Sequence, residues 1–340
     1  MVTTGIGDNH GCTDGVGVVG TGSYLPAHVV TSAEVGEAAG VTGDWVRDKT
    51  GILSRRQAKA DEATSDLAVI AGRAALEDAG LVASDVSLVL VATSTPDSPQ
   101  PPTACVVADG LGVRPGTAAF DINAVCSGFV FALVTAERLL RGGDGHIHAL
   151  VIGADIYSRI LDPTDRRTAV LFGDGAGAVV LGPVPRGRGL VAGRLAGFPG
   201  DRDLIEVPGG GSRFPTTAQT LADGLHHFTM NGRGVREFVT EHVPGAVHDF
   251  LLDADRSVAD VDHFVPHQAN GRMLRDLSDA IGVRWEAMHT TYENFGNTGA
   301  ASVPITLDEA ARSGAVAEGD MVLLAGFGGG MAMGLGLLRW

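Results

Sequence analysis

Cys126 stands in the segment DINAVCSGFVFAL, between a short apolar run (AAFDI) and a stretch with amphipathic helical spacing. A thiol at the first turn of a helix faces the partial positive charge of that terminus, which favours the thiolate that attacks carbonyl carbon. Ala124, Ser127 and Gly128 are small and leave room for a substrate, and the strand-to-helix turn is expected to expose the side chain as in other nucleophile elbows. Far downstream lie His267 in FVPHQAN and Asn297 in ENFGNTGAAS. Taken singly, a packing cysteine, a hydrogen-bonded structural histidine and an asparagine in a glycine-flanked turn explain these residues as well. Together, on three strand-edge motifs, they read as one catalytic centre that the fold assembles. Cys105 falls in an apolar helical stretch and reads as packing, and Cys12 falls in a polar, Gly-rich leader.

Several elements must position these residues. GVGVVGTGSYLP reads as an opening strand that ends in a turn, and Thr64 to Ala79 as a helix stopped at Gly80. VSLVLVATST and HALVIGADIYS read as buried strands, with a Pro-rich loop and a helix between them. VDHFVPHQAN reads as strand then loop, and GRMLRDLSDAIG as an amphipathic helix ending at Gly282. ASVPITLDEAARSG reads as a helix, and DMVLLAGFGGGMAMGLGLLRW as paired buried strands. The Gly-rich segments that begin at Phe172 and Phe327 resemble each other, and their spacing of about 155 residues points to an internally duplicated α/β unit. The expected organisation is a leader over residues 1–14, a half over 15–185 that carries the nucleophile, and a half over 186–340 that carries the histidine and asparagine.

Composition narrows the function classes. The chain has 340 residues, enough for a large buried core, with 44% hydrophobic and 19% charged residues, as in globular proteins. Its 49 glycines favour an α/β protein with close backbone packing over a helical bundle. A net charge of -15 speaks against nucleic acid as a partner. The three cysteines have no metal-ligand spacing and make no disulfide framework. With no apolar signal region and no long uncharged apolar run, a membrane partner is not expected, and a reducing cytoplasm is the expected setting.

The motifs GTGSYLP, WVRDKTGI, FDINAVCSGFVFAL, DPTDRRTAVLFGDGAGAVVL, VPHQANGRM and ENFGNTGAASVP with GFGGG, taken in order from about Gly15 to Trp340, resemble β-ketoacyl-acyl carrier protein synthase III, a condensing enzyme of the thiolase superfamily. The resemblance implies a thiolase-like α/β fold, with duplicated halves in a five-layered αβαβα core, and a homodimer. It implies a Cys-His-Asn triad of Cys126, His267 and Asn297 and no cofactor or metal, coenzyme A thioester being a substrate. The implied reaction is ping-pong. Cys126 takes an acyl group from acyl-CoA or an acyl-carrier protein, and malonyl-acyl carrier protein then loses CO2 to give an enolate that attacks the acyl-cysteine, yielding a 3-oxoacyl product for fatty acid or polyketide initiation. His267 and the Asn297 amide suit that enolate as hydrogen-bond donors, where a carboxylate would repel it. The backbone N–H groups of Cys126 and Gly329 are the implied oxyanion hole.

Other positions bear on the substrate. Trp45 and Arg166 match a Trp-Arg pair that stacks on the CoA adenine, and Ala269 and Asn270 match the pantetheine tunnel. Arg272 matches the carrier-protein patch, and Phe327 the acyl pocket. The chain departs from the family at Lys49, where an arginine fork is usual, at Arg167, where glycine is usual, at Arg236, and at Gln100, where a phenylalanine commonly lines the acyl pocket across the dimer. A polar Gln100 suggests a polar or unusual acyl donor. An acyltransferase of the same fold, passing its acyl group to a hydroxyl or amine of a natural-product intermediate, would share the acyl-cysteine and release no CO2. A non-catalytic partner subunit is disfavoured by the intact triad. A cysteine protease is disfavoured by the Gly-rich duplicated pattern.

Overall fold

The longest apolar runs are central strands buried along their whole length, and the shorter runs just before Cys126 and His267 are edge strands. The computed structural model describes residues 15–142 and 147–340. The expected leader, with Cys12, lies outside them. The first sheet is built from β1 (Gly15–Tyr24), β2 (Leu88–Ala92), β3 (Ala118–Ile122), β4 (Ala149–Asp155) and β5 (Gly175–Val184), in the order β1-β5-β4-β2-β3. The second contains β6 (Gly189–Gly197), β7 (His263–Pro266), β8 (Met321–Gly328) and β9 (Ala332–Arg339), in the order β7-β8-β9-β6.

The two sheets repeat one pattern of directions. The pairs β1–β5 and β5–β4 are antiparallel and β4–β2 is parallel; in the second sheet β6–β9 and β9–β8 are antiparallel and β8–β7 is parallel. The place that β3 holds beside β2 is taken in the second sheet by a single parallel bridge, Phe264 to Met288.

Helices fill three layers around the sheets. α1 (Thr64–Asp78) and α2 (Thr103–Leu111) cover the outer face of the first sheet. α3 (Gly128–Arg141) and α6 (Ser302–Arg312) lie between the sheets, where Phe129, Leu133, Val303 and Leu307 join Leu90, Val151, Val322 and Leu324 in one core. α4 (Gly232–Asp253) and α5 (Gly271–Ile281) cover the outer face of the second sheet. The result is the expected five-layered αβαβα thiolase fold.

Most expected elements appear, with shifted ends. The run VSLVLVATST is strand only over Leu88–Ala92, because Thr93, Ser94 and Thr95 turn to bond the Asp155 carboxylate. Gly282 ends α5 in the left-handed conformation. The 22-residue α4 was not anticipated. It carries Pro244, yet Val235, Val239, Val243, Val247 and Leu251 recur every fourth residue and are buried. No helix among the described residues is long and apolar enough to cross a membrane.

This layering brings α3 and α6 to start at one end of the molecule. The carboxyl ends of the parallel strands β2, β3 and β4 and of β7 and β8 open there too, where open α/β sheets place their sites. Leu324 is fully buried in the shared central core. Leu324→Ala is expected to lower the unfolding free energy by about 2–5 kcal/mol, read from urea denaturation followed by circular dichroism.

Candidate active site

Cys126 sits in a single 3-10 turn, Val125–Ser127, immediately before α3. Val125 adopts a φ of 49°, a left-handed conformation that β-branched residues rarely take. This strained residue folds the chain back between β3 and α3 and turns the thiol inward. Gly328, at the end of β8, stands against it: a Cβ there would lie 2.6 Å from the Cys126 Cβ and 3.2 Å from its Sγ. Only glycine lets the second sheet approach the nucleophile this closely.

The structure corrects two expectations about the thiol. Cys126 is buried, with 5% of its surface exposed, rather than presented at an open elbow. Burial, reinforced by the Asp155 carboxylate, pushes the thiol up to about 12, while a hydrogen bond with the Tyr157 hydroxyl acts in the opposite direction. A helix N-terminus stabilises an anion by at most about 2 kcal/mol, roughly 30-fold in a proton equilibrium. That is too little to reverse the effect of burial, and the resting group is the thiol.

His267 follows the last residue of β7, and its N–H donates to the Ala325 carbonyl of β8 at 2.7 Å. Its Nδ1 lies 2.7 Å from Ser302 Oγ, at the first residue of α6. Burial carries the imidazole down to about 3, with a hydrogen bond to the Gly299 backbone opposing the shift, so the ring is neutral at working pH. Gln268, fully buried, holds the loop. Its Nε2 donates to Pro266 O at 2.8 Å and to His289 O at 3.3 Å, and its Oε1 accepts Thr291 N–H at 2.8 Å.

Asn297 ties the loop before α6 to the segment that leads into β5. Its N–H donates to Leu171 O at 2.9 Å, and its carbonyl accepts Gly173 N–H at 3.0 Å, around a parallel bridge to Phe172. Its Oδ1 accepts Gly299 N–H at 2.9 Å, which leaves the Nδ2 amide for a ligand. Gly299 has a φ of 59°, and a Cβ there would fall 2.3 Å from Asp155 Oδ2 and 2.4 Å from Tyr157 Cε2. Asp155 and Tyr157, both nearly inaccessible to solvent, were not singled out from sequence.

Cys126, His267 and Asn297 line one cavity of about 220 Å³. Phe172, Phe228, Val235, Val239, Phe327 and Met331 give it apolar walls, and Ala269, Asn270 and Gly328 also face it. Arg167 reaches its lining while paired with Asp165 at 2.9 Å. This lining is the wrong environment for the polar acyl group inferred from Gln100, since a buried polar group without a partner is unfavourable. Gln100 itself is exposed and is absent from the walls of this chain's cavity.

The remaining expected residues lie further out. The Arg166 guanidinium is 6.0 Å from the Trp45 ring centre. Lys49 and Arg272 share a separate charged groove with Arg47, Arg275 and Asp276. Arg236 is bound to Asp276 at 2.7 Å on the surface, away from the cavity. Asn270 has a structural duty as well, capping α5 through Met273 N–H at 3.0 Å. Gly328 rather than Gly329 abuts Cys126; a Cβ on Gly329 would instead meet Val125 and Ile205 at 3.2 Å. Cys105 is exposed, not packed. Among the described residues no group of three or more His, Cys, Asp or Glu could hold a metal ion.

Residues 120–195 match the family described as 3-oxoacyl-[acyl-carrier-protein (ACP)] synthase III, and residues 251–340 match its C-terminal counterpart. The chain is 55% identical over 327 residues to the acetoacetyl CoA synthase NphT7 of Streptomyces sp. (strain CL190), covering 95% of this chain and 98% of the relative. It is 44% identical over 327 residues to the β-ketoacyl-[acyl-carrier-protein] synthase III of Rhodospirillum rubrum, with the same coverage. Among solved structures, the 3-oxoacyl-[acyl-carrier-protein] synthase III of Aquifex aeolicus VF5 superposes with a TM-score of 0.88 at 34% identity, over 96% of this chain and 100% of the other. The priming β-ketosynthase of the R1128 polyketide pathway gives the same score and identity, over 98% of each chain.

The buried, protonated thiol has a measurable consequence. Carbamidomethylation of Cys126 by iodoacetamide, followed by peptide mass spectrometry, is expected to be slow near neutrality and still climbing above pH 9.0, the ordinary thiol value. A rate that levels off near neutrality contradicts this picture.

Proposed function

The chain belongs to the 3-oxoacyl-[acyl-carrier-protein] synthase III family, and from that premise we propose that it is a transferase that loads an acyl group onto Cys126 and condenses it with a malonyl thioester. The observation that carries this reading is the convergence of the Cys126 thiol, the His267 imidazole and the Asn297 amide on one small apolar cavity. In the first half-reaction the Cys126 sulfur forms a bond to the acyl carbon, and the donor's carbon–sulfur bond breaks. The backbone N–H groups of Cys126 and Gly329 are assigned to the oxyanion of that step. In the second, a malonyl thioester loses CO2, and the resulting carbanion displaces Cys126 to give a 3-oxoacyl thioester.

The second half-reaction develops negative charge on the malonyl thioester oxygen. A neutral imidazole and a carboxamide can donate to it with no charge of their own to desolvate. Ser302 Oγ accepts Gln268 N–H at 3.3 Å and can give its own proton to His267 Nδ1. That tautomer leaves Nε2 as the donor. Asn297, its oxygen engaged by Gly299, presents its amide hydrogens.

The apolar walls and modest volume favour a short apolar donor. The Streptomyces relative's name supports the same choice, since acetoacetyl-CoA is an acetyl unit joined to a two-carbon CoA thioester. Trp45 with Arg166 is assigned to the CoA headgroup, and Lys49 and Arg272 to an acidic carrier protein. Arg167 is assigned to the cavity mouth and Arg236 to the outer surface.

A second copy of the chain is part of the proposal. The strand β3 pairs with β2 on one side only, and Phe120 on it and Val106 on α2 are exposed apolar groups at that edge. Symmetric pairing would cover both. Gln100 lies in the loop that leads into α2, so it would serve the partner's cavity.

Incubation with acetyl-CoA is expected to add an acetyl mass to Cys126. Subsequent malonyl-CoA or malonyl-acyl carrier protein should release CO2 and a 3-oxoacyl thioester, and the faster of the two names the acceptor. His267→Ala and Asn297→Ala should keep loading but lower condensation by about 100-fold or more. Discharge of the acyl group to a hydroxyl or amine without CO2 would contradict the condensation.

A further inference from the structure

Arg55 is fully buried, and among the described residues no acidic side chain forms a salt bridge with it. Its Nε is enclosed without a hydrogen-bond partner. A buried charge with no opposite charge is costly, and an apolar side chain of similar size would fill the same space at less cost. Packing alone therefore does not account for an arginine at this position. The groups that it holds give a better account.

Arg55 lies in the short strand Ser54–Gln57, which pairs antiparallel with His28–Thr31. Its Nη1 donates to Ser32 Oγ at 3.1 Å, and that hydroxyl is fixed in turn by donating to Ile52 O at 2.6 Å. Its Nη2 donates to Val170 O at 2.7 Å. One rigid planar fork thus spans from the hairpin to Val170. The next carbonyl along, that of Leu171, accepts the Asn297 N–H. The stem of Arg55 meets the same junction. A Cβ on Gly173 would lie 2.9 Å from Arg55 Cβ, and one on Gly296 3.5 Å from it. These glycines adjoin Phe172 and Asn297, the two residues of the parallel bridge. The backbone beside Arg55 adds one more tie, with Arg56 O accepting Asp174 N–H at 2.9 Å. Arg55 itself is absent from the cavity walls.

We propose that Arg55 is a positioning residue for the condensation step, acting through Asn297. Its fork holds Val170, its stem backs Gly173 and Gly296, and together they set where the Asn297 backbone crosses Phe172. That crossing fixes the point from which the Asn297 amide reaches the malonyl thioester oxygen. Arg55 brings no group to the reacting atoms. Its part is geometric, two donors in a fixed plane, and the charge comes with that geometry. A donor displaced by about 1 Å can cost on the order of 100-fold in rate, so a side chain outside the cavity can govern the chemistry inside it. Cys126 is held by other contacts, against Gly328 and at the start of α3, so loading does not depend on Arg55.

The proposal rests on the reading that Cys126 is acylated and that Asn297 serves the malonyl step. Loading at saturating acetyl-CoA, read as acyl-Cys126 by rapid-quench mass spectrometry, is measured apart from CO2 release on adding malonyl-CoA or malonyl-acyl carrier protein. Arg55→Met keeps the stem and removes the fork. It is expected to load at the wild-type rate and to condense about tenfold or more slowly. Arg55→Lys keeps the charge but not the fork, and should lie between the two. In the Asn297→Ala background neither substitution should slow condensation further, since residues that act as a unit are not additive. Arg55→Lys carries the same comparisons if Arg55→Met does not fold. Condensation at the wild-type rate in either variant, equal losses in loading and condensation, or losses that multiply in the double variant overturn the role of Arg55 while leaving the functional reading intact. Absence of any acyl adduct on the wild type overturns both.

Discussion

Asn297 is hydrogen-bonded through its backbone on both sides of Phe172, donating to Leu171 and accepting from Gly173. That short bridge ties the start of the α6 region, in the second half of the chain, to the segment that feeds β5 in the first. The rest of the site depends on it. With Asn297 fixed, Gly299 and Ala300 reach Asp155 at the end of β4, and Ser302 reaches His267 beyond β7. Cys126 is then enclosed between Gly328 of one sheet and the α3 start of the other. No single element carries the chemistry; the junction of two similar sheets does.

Enclosure decides the electrostatics. A helix start favours the thiolate of a nucleophile open to water, but desolvation in this cavity outweighs the helix dipole. The thiol, the imidazole and the carboxamide are all neutral at rest. Charge then develops only while bonds are changing, where donors fixed in advance stabilise it most. The strained Val125 and the glycines at 299 and 328 hold the groups close enough for that.

Much of this was legible in the chain. Cys126 and His267 follow short apolar runs, and those runs became edge strands of the two sheets. The glycine-rich repeats at Phe172 and Phe327 mark strand ends that occupy matching places in the two sheets. What was not legible depends on contacts between distant segments. Nothing local distinguishes Asp155 or Tyr157 from other residues at the end of a strand, and their importance comes from Ser94 and Gly299. The inward turn of the thiol depends on the second sheet pressing against it, so sequence suggested an exposed thiolate where a buried thiol stands. The helix Gly232–Asp253 was obscured by Pro244 although its valine spacing announced it. Arg236 was given a role by correspondence with the family, and in this chain it lies outside the cavity walls.

The central claim is a division of labour, with Cys126 carrying the acyl group and the neutral donors His267 and Asn297 serving only the malonyl step. Asn297→Asp tests it most directly, because it keeps the side chain's size and its acceptor for Gly299 N–H but puts a carboxylate where the enolate oxygen forms. Rapid-quench mass spectrometry of that variant with acetyl-CoA and a malonyl thioester should show acyl-Cys126 forming at the wild-type rate and persisting without CO2 release. Condensation at the wild-type rate, or failure to load at all while the fold is retained, would contradict the account.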